Sequence, residues 1–382
     1  MLQFKDPTKL RTKKIVFEAV YGAQDSSTLE RLKELSSKRV SVELINNKHK
    51  AIPDATAREI SAGITSQCEQ DIQKLEQYLP LLENFIHHID FLGSDPGVIR
   101  ATSNLKIRWT SPLSSSCSLN IMGPKFYQID NLRFELGSVL FFYGSMLRER
   151  ASQVLATDLV QSATLFRKAA GVYLYLAHDV LPSLKAKHTA HGPPEATPSV
   201  STVMSLICLA EAQVATIIKA EEKGTADGLL SKLHYGAVQL FDEAMDSYTT
   251  AAKECKDIST GLMDYISCSK ALHMLRSYKY MAQSVKTEGQ MGAAIGVLKQ
   301  ALSCKLQKNV RGMESWRTVI KQEVNTLTDL LRKYEHENDF VWNEKVPYDD
   351  RLPLLQGKKL ATSIPYSPAI CEKAGKPLKL KI

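Results

Sequence analysis

Apolar side chains recur every three to four residues along most of this chain, the spacing of amphipathic helices. In the stretch 54–92, Ile60, Ile64, Ile72, Leu75, Leu79, Leu82, Phe85, Ile86 and Ile89 keep that spacing, and Pro80 is placed to kink or divide the helix. Before it, Ser26 or Ser27 is positioned to cap a helix, with Glu30 completing a capping box. From Asp130 or Asn131 the pattern is helical almost to residue 340. It predicts a helix opening there, one from Thr157 toward Leu181, one from Ser199 or Ser201 to near Gly224, and four more over about 225–256, 257–287, 291–307 and 313–337. Two regions break the pattern. Residues 14–21 (KIVFEAVY), closed by Gly22, alternate like a strand, and the Ser/Gly/Pro-rich stretch 93–128 allows a strand pair near 106–110 and 116–121. Residues 185–198 read as a loop, and beyond Pro347 no period is sustained, so the chain is expected to lie extended.

Long helices with short connectors predict antiparallel hairpins packed side by side. The segment 289–302 (GQMGAAIGVLKQAL) alternates small and large apolar residues like the second helix of a tetratricopeptide hairpin, although no 34-residue repeat recurs. Gly289, Gly292 and Gly296 fit close helix packing there. The expected fold is all-α, with a small β element near the start.

Charge changes the picture only after it is located. The net +8 resolves into +4 on residues 1–14, +5 on 352–382 and −1 on the body between them. A nucleic-acid module carries its excess on a folded face, so nucleic acid is not the expected partner. Basic ends instead predict weak contact with an anionic membrane. Three regions are therefore expected: a basic arm at 1–13, a folded domain at 14–347 and an extended basic tail at 348–382. No apolar run reaches the length of a membrane span. The seven cysteines form no CxxC, and with no N-x-S/T sequon a reducing, cytoplasmic compartment is expected.

Signatures of enzymes are missing from the sequence. No GxxxxGK[ST], GxSxG or HExxH occurs. His188 and His191 lie in a Pro/Gly loop without Cys or carboxylate neighbours, and Asp349–Asp350 forms only half of an acidic metal box. No catalytic residue, metal or cofactor is expected.

Two segments are more specific. In 204–220 (MSLICLAEAQVATIIKA), small Ala210 and Ala212 flank Glu211 and precede Gln213, so polar groups requiring partners lie in an apolar helix. In 337–347 (ENDFVWNEKVP), a helix ends and an extended aromatic segment begins, with Phe340 and Trp342 expected to cover the end of the helical stack. Together they resemble the Bro-one domain family, of ALIX/BROX-like type, in which a mid-domain helix carries A-[EQ]-A-Q and the end carries N-[DG]-F-[IV]-Y-x-x-x-[IV]-P. Here these read Ala210-Glu211-Ala212-Gln213 and Asn338-Asp339-Phe340-Val341-Trp342 followed by Val346-Pro347. The family often has Tyr where Trp342 stands. Ile107-Arg108-Trp109-Thr110, Phe134-Glu135-Leu136-Gly137, the Phe166–Gly171 run FRKAAG and the early Tyr21-Gly22 agree in order, so the likeness covers about 14–347.

The resemblance implies a boomerang-shaped solenoid in single-domain form, without the CaaX box of a prenylated member. It implies a non-enzymatic adaptor, recruited peripherally to endosomes, that acts in multivesicular-body formation and vacuolar or lysosomal trafficking. Its implied partner is the C-terminal amphipathic helix of a Snf-seven-type ESCRT-III subunit, with other sorting factors beside it. Ungapped alignment from Ala210 places Thr216, Lys219, Leu229, Lys232 and Leu233 at groove positions. Leu229 and Leu233 share a helix face, so a solvent-facing apolar pair beside two lysines is expected. The competing reading is a tetratricopeptide-type scaffold for an unrelated peptide.

Overall fold

Several helix starts follow short polar side chains. In this computed structural model, which describes residues 1–4, 6–45, 66–93, 95–115, 124–185, 192–303, 312–348, 351–368 and 378–381, Asp25 accepts from the Thr28 amide and opens α1 (Ser26–Glu43). Ser66 opens α2 (Gln67–Phe91), which runs unbroken through Pro80. Asp95 opens α3 (Pro96–Asn104), a helix that the loop-like composition concealed. Asn131 caps α4 (Leu132–Val154) and Asp158 caps α5 (Leu159–Tyr175), which ends in one wider π-turn, Leu176–Val180. Next come α6 (Pro198–Glu222), α7 (Asp227–Glu254), α8 (Thr260–Thr287, capped by Ser259), α9 (Met291–Ser303) and α10 (Glu314–Glu337). Pro198 occupies the first turn of α6, where a missing N–H costs nothing.

From α4 to α10 each helix packs on the next, giving the solenoid-like stack that the patterning predicts. Among the described residues one helix, α6, is long and apolar enough to cross a membrane, but 72% of its apolar window is buried inside the protein, as befits a core helix. The β structure is slight. β2 (Arg108–Thr110) pairs antiparallel with β3 (Phe126–Gln128), Trp109 opposite Tyr127. The expected partner at 116–121 lies outside the described residues, as do His188, His191, Asp349 and Asp350.

The stretch 14–21 is not a strand. The Val20 and Tyr21 amides both donate to the Phe17 carbonyl, closing a turn. This turn brings Phe17 and Tyr21 edge-on to Phe85, with centroids 5.5 and 5.1 Å away, so aromatic packing and not ladder pairing uses these residues. The first thirteen residues do not form a free arm. Leu2, Phe4 and Leu10 are buried, and Phe4 stacks on Tyr265 of α8 at 5.4 Å.

The C-terminal segment is extended, as the missing period predicts, but it is bound to the body. Beyond α10 the chain turns back across the helices as a strap. Asn338 makes the turn: its amide donates to the Glu344 carbonyl (3.0 Å) and accepts from the Glu344 N–H (3.1 Å), while Asn343 adopts φ +53°. The strap crosses α9, α7 and α5 where small residues leave room. A Cβ at Gly236 would collide with the Lys358 carbonyl, and one at Gly171 with that of Ile364. Gly292 and Gly296 likewise face Lys345 and Leu352, so they admit the strap and do not serve helix-on-helix packing. The chain ends as β4 (Leu380–Lys381), antiparallel to β1 (Gly22–Ala23), which ties the C-terminus to the first helix. The basic termini are thereby drawn onto the body: Lys359 bonds Glu243 (2.6 Å) and Lys379 lies 3.9 Å from Asp25.

Candidate partner-helix groove

The α6–α7 hairpin carries all five residues implied for the groove. The connecting turn passes through Gly224 at φ +65°, a conformation that a side chain would strain. Lys219 and Lys232 are exposed, one near the end of α6 and one in the second turn of α7, and Lys219 pairs with Glu222 at 3.3 Å. Thr216 is half-buried, its hydroxyl donating to the Ala212 carbonyl (3.0 Å). Leu229 is 37% exposed.

Leu233 departs from the expectation. It is 2% exposed and clusters with Val214, Ile217 and Ala237, against which Met1 also packs. The i, i+4 spacing does place both leucines on one face, but that face dips beneath α6 within a turn. The solvent-facing apolar group is therefore Leu229 alone of the pair.

The strap forms one wall of this region, which the sequence did not reveal. Gln213, fully buried, donates to the carbonyls of Leu233 (3.1 Å) and Lys358 (2.8 Å) and accepts from the amides of Leu360 (2.9 Å) and Ala361 (3.3 Å). The Lys358 amide in turn donates to the Lys232 carbonyl (2.9 Å). Strap residues 358–361 thus run beside the turn that holds Leu233, and Leu360 there is 47% exposed. Glycines within otherwise good helices, Gly236 above all, were the available signal.

The other motif residues secure this frame. Ala210 and Ala212 are buried. Glu211 accepts two bonds from Arg148 of α4 (2.7 and 2.5 Å) and one from Tyr265 of α8 (2.5 Å), joining three helices through one carboxylate. Phe340 and Trp342 do not cover the stack. Phe340 is 75% exposed and rests on the His336 ring, while Trp342 is 41% exposed with its indole donating to Glu337 (3.3 Å). The turn at Asn338 throws them outward; Pro347 is half-buried beyond it.

Beneath the hairpin lies a buried histidine pair. His234 and His273 stack with Nδ1 atoms 3.0 Å apart, and His234 Nε2 is 3.4 Å from Glu221, which also accepts from Tyr280 (2.7 Å). Burial lowers both histidine pKa values, so both rings are neutral near pH 7. The hydrogen bond from His234 holds the Glu221 carboxyl below its usual range. A neutral ring has one N–H. His234 therefore donates from Nε2 to Glu221, and its Nδ1 accepts from Nδ1–H of His273. Among the described residues no group of three or more His, Cys, Asp or Glu side chains is arranged to hold a metal.

Residues 37–379 match the BRO1-like domain. The chain belongs to the BRO1-like domain family. Among BRO1 relatives, human "BRO1 domain-containing protein BROX" is 23% identical over 317 residues, 78% of this chain and 74% of that protein. The "Programmed cell death 6-interacting protein" of Xenopus laevis is 26% identical over 251 residues, 64% of this chain, and the match spans only 28% of that relative's length. The BRO1 fold also matches a solved structure described as "ALIX BRO1 CHMP4C complex", with TM-score 0.69 and 17% identity over 95% of this chain and 96% of the other. A second, "Structure basis for endosomal targeting by the Bro1 domain", gives TM-score 0.66 and 17% identity over 96% of this chain and 92% of the other.

Proposed function

We propose that this BRO1-family chain is a non-enzymatic adaptor of endosomal sorting. It binds the C-terminal amphipathic helix of a Snf-seven-type ESCRT-III subunit, acts in multivesicular-body formation, and is recruited from the cytoplasm to the endosomal surface. The observation that carries the reading is the α6–α7 hairpin, where exposed Leu229 lies in the same hairpin as Lys219 and Lys232, with apolar Leu360 on the adjacent strap. An amphipathic helix with some acidic residues complements that surface. The match to an ALIX BRO1 fold solved with CHMP4C supports the same partner class.

The test is fluorescence anisotropy with synthetic C-terminal helices of candidate ESCRT-III subunits. Leu229→Asp is expected to weaken binding about tenfold or more, since burying a leucine contributes ~1.5–3 kcal/mol and ~1.4 kcal/mol is a factor of ten. Lys219→Glu with Lys232→Glu is expected to weaken it further and to flatten its salt dependence. Full-strength binding by the folded Leu229→Asp variant would remove the hairpin from the interface. Leu233 does not serve as a probe, because replacing it opens the core.

A further inference from the structure

The strap ends in a feature that the groove does not use. Residues 364–368 read Ile-Pro-Tyr-Ser-Pro. Tyr366 plugs the strap into the body: its ring centroid is 5.2 Å from that of Tyr175 and 6.4 Å from that of Tyr143, and its hydroxyl donates to Glu83 (2.8 Å). The next residue, Ser367, is exposed, extended and followed by Pro368. The chain has three Ser/Thr-Pro steps, and the other two are less exposed. Ser111 is 3% exposed, with its hydroxyl donating to Glu195, and half-buried Thr197 is the residue from which α6 begins.

We propose that Ser367 is a phosphorylation site for a proline-directed serine/threonine kinase, and that its phosphoryl group undocks the end of the strap. In the transfer, Ser367 Oγ forms a bond to the γ-phosphorus of kinase-bound MgATP. The bond from that phosphorus to the bridging oxygen breaks, ADP leaves with the electron pair, and the hydroxyl proton passes to the kinase's base. The product carries about −1.5 to −2 charge at pH 7.

The surroundings set the sign of the response. Glu83 accepts from Tyr366, Glu76 accepts from Tyr143 (2.9 Å), and Asp179 adds negative charge beside Tyr175. Among the described residues two cations lie near: Arg133, already bonded to Asp90 (2.6 Å), and Arg167, already donating to the Thr362 carbonyl (2.7 Å). A dianion one residue from Tyr366 adds to the negative charge around the docked ring and disfavours docking. Tyr366, the residue before the target serine, is held against the body, so the kinase acts on the strap when it opens, and the phosphate then opposes reclosure.

The experiment uses the full chain, MgATP and a purified proline-directed kinase, read by peptide mass spectrometry. Labelling at Ser367 that Ser367→Ala abolishes, and that Tyr366→Ala accelerates, is the expected result; no labelling at Ser367 overturns the proposal. Hydrogen exchange then reads the amides of Lys358, Leu360 and Ile364, which bond Lys232, Gln213 and Arg167. Phosphorylation is expected to speed their exchange by about tenfold or more. Unchanged or slower exchange, as when Arg167 captures the phosphate, overturns the undocking. Any effect on a partner helix rests on the proposed groove and is measured separately by anisotropy, so failure there leaves the exchange result standing.

Discussion

Gln213 and Phe340 invert the usual ranking of side chains. The amide is fully buried and the phenyl ring is 75% exposed. Each is explained by the backbone beside it. Where the strap crosses α6, its carbonyl at 358 and its amides at 360 and 361 have no helix or ladder partner and turn to Gln213. A buried side-chain amide, with two donors and an acceptor, satisfies them. Where the strap begins, Asn338 performs the corresponding task for Glu344, and the turn leaves Phe340 and Trp342 on its outer side. In both regions the extended chain decides which side chains are inside.

The largest expected effect strikes the buried frame. Arg148 is 6% exposed and Glu211 1%. Arg148→Met leaves the Glu211 charge unpaired and is expected to cost ~3–5 kcal/mol in urea unfolding. The double variant Arg148→Met, Glu211→Met is expected to regain much of that, because the uncompensated charge is gone. A double variant no more stable than the single one would show that the cost is lost packing.

Gln213→Leu sharpens the comparison directly. It fills the same space but leaves the carbonyls of Leu233 and Lys358 and two strap amides without Gln213, at an expected cost of about 2–3 kcal/mol. Hydrogen exchange at residues 358–361 is expected to rise before global unfolding. Unchanged exchange there would mean that the glycine trough alone retains the strap.

How legible this was follows from the type of order involved. Helices reveal themselves by a period, so α4 to α10 and the Asn131 cap could be read from the sequence. The sequence marks Gln213 as a polar group needing partners but does not name them. An extended strap has no period, and its partners are backbone atoms lying over Gly171 and Gly236, residues that in isolation look like weak points in helices. Helical spacing says which residues share a face, not where along its length that face becomes covered, so it predicts Leu233 at the surface beside Leu229 although Leu233 is buried. Apolar character alone predicts Phe340 and Trp342 inside, and it carries no signal of the turn at Asn338 that leaves them outside.

The histidine pair supplies a pH-dependent form of the comparison. The folded protein holds His234 and especially His273 neutral, with burial the main cause and Arg276 adding to it at both. Lys279 at His234 and the chain's amino group at His273 also disfavour the charged form, while Glu221 opposes the shift at His234. The unfolded chain takes up protons near pH 6.5, where the folded one does not. Stability is therefore complete above that pH and falls as pH drops below it, by about 1.4 kcal/mol per unit for each group that stays neutral. Urea unfolding at pH 7.5, 6.5 and 5.5 checks this. His273→Gln is expected to flatten the slope; an equal slope in the variant would assign the acid sensitivity elsewhere.

The smallest expected effect is at the exposed aromatics, and it is the sharpest discriminator. If Phe340 were part of the core, Phe340→Ser would cost several kcal/mol. At 75% exposure, with the His336 ring as its neighbour, it is expected to change unfolding by about 0.5 kcal/mol or less. Asn338→Ala, two residues away, removes both bonds to Glu344 and is expected to destabilise by about 1–2 kcal/mol while freeing the start of the strap. The order of these two effects is what matters. A polar residue outweighing its aromatic neighbour would confirm that this motif keeps its shape through the backbone turn. A larger loss at Phe340 than at Asn338 would return the aromatic segment to the role of a cap.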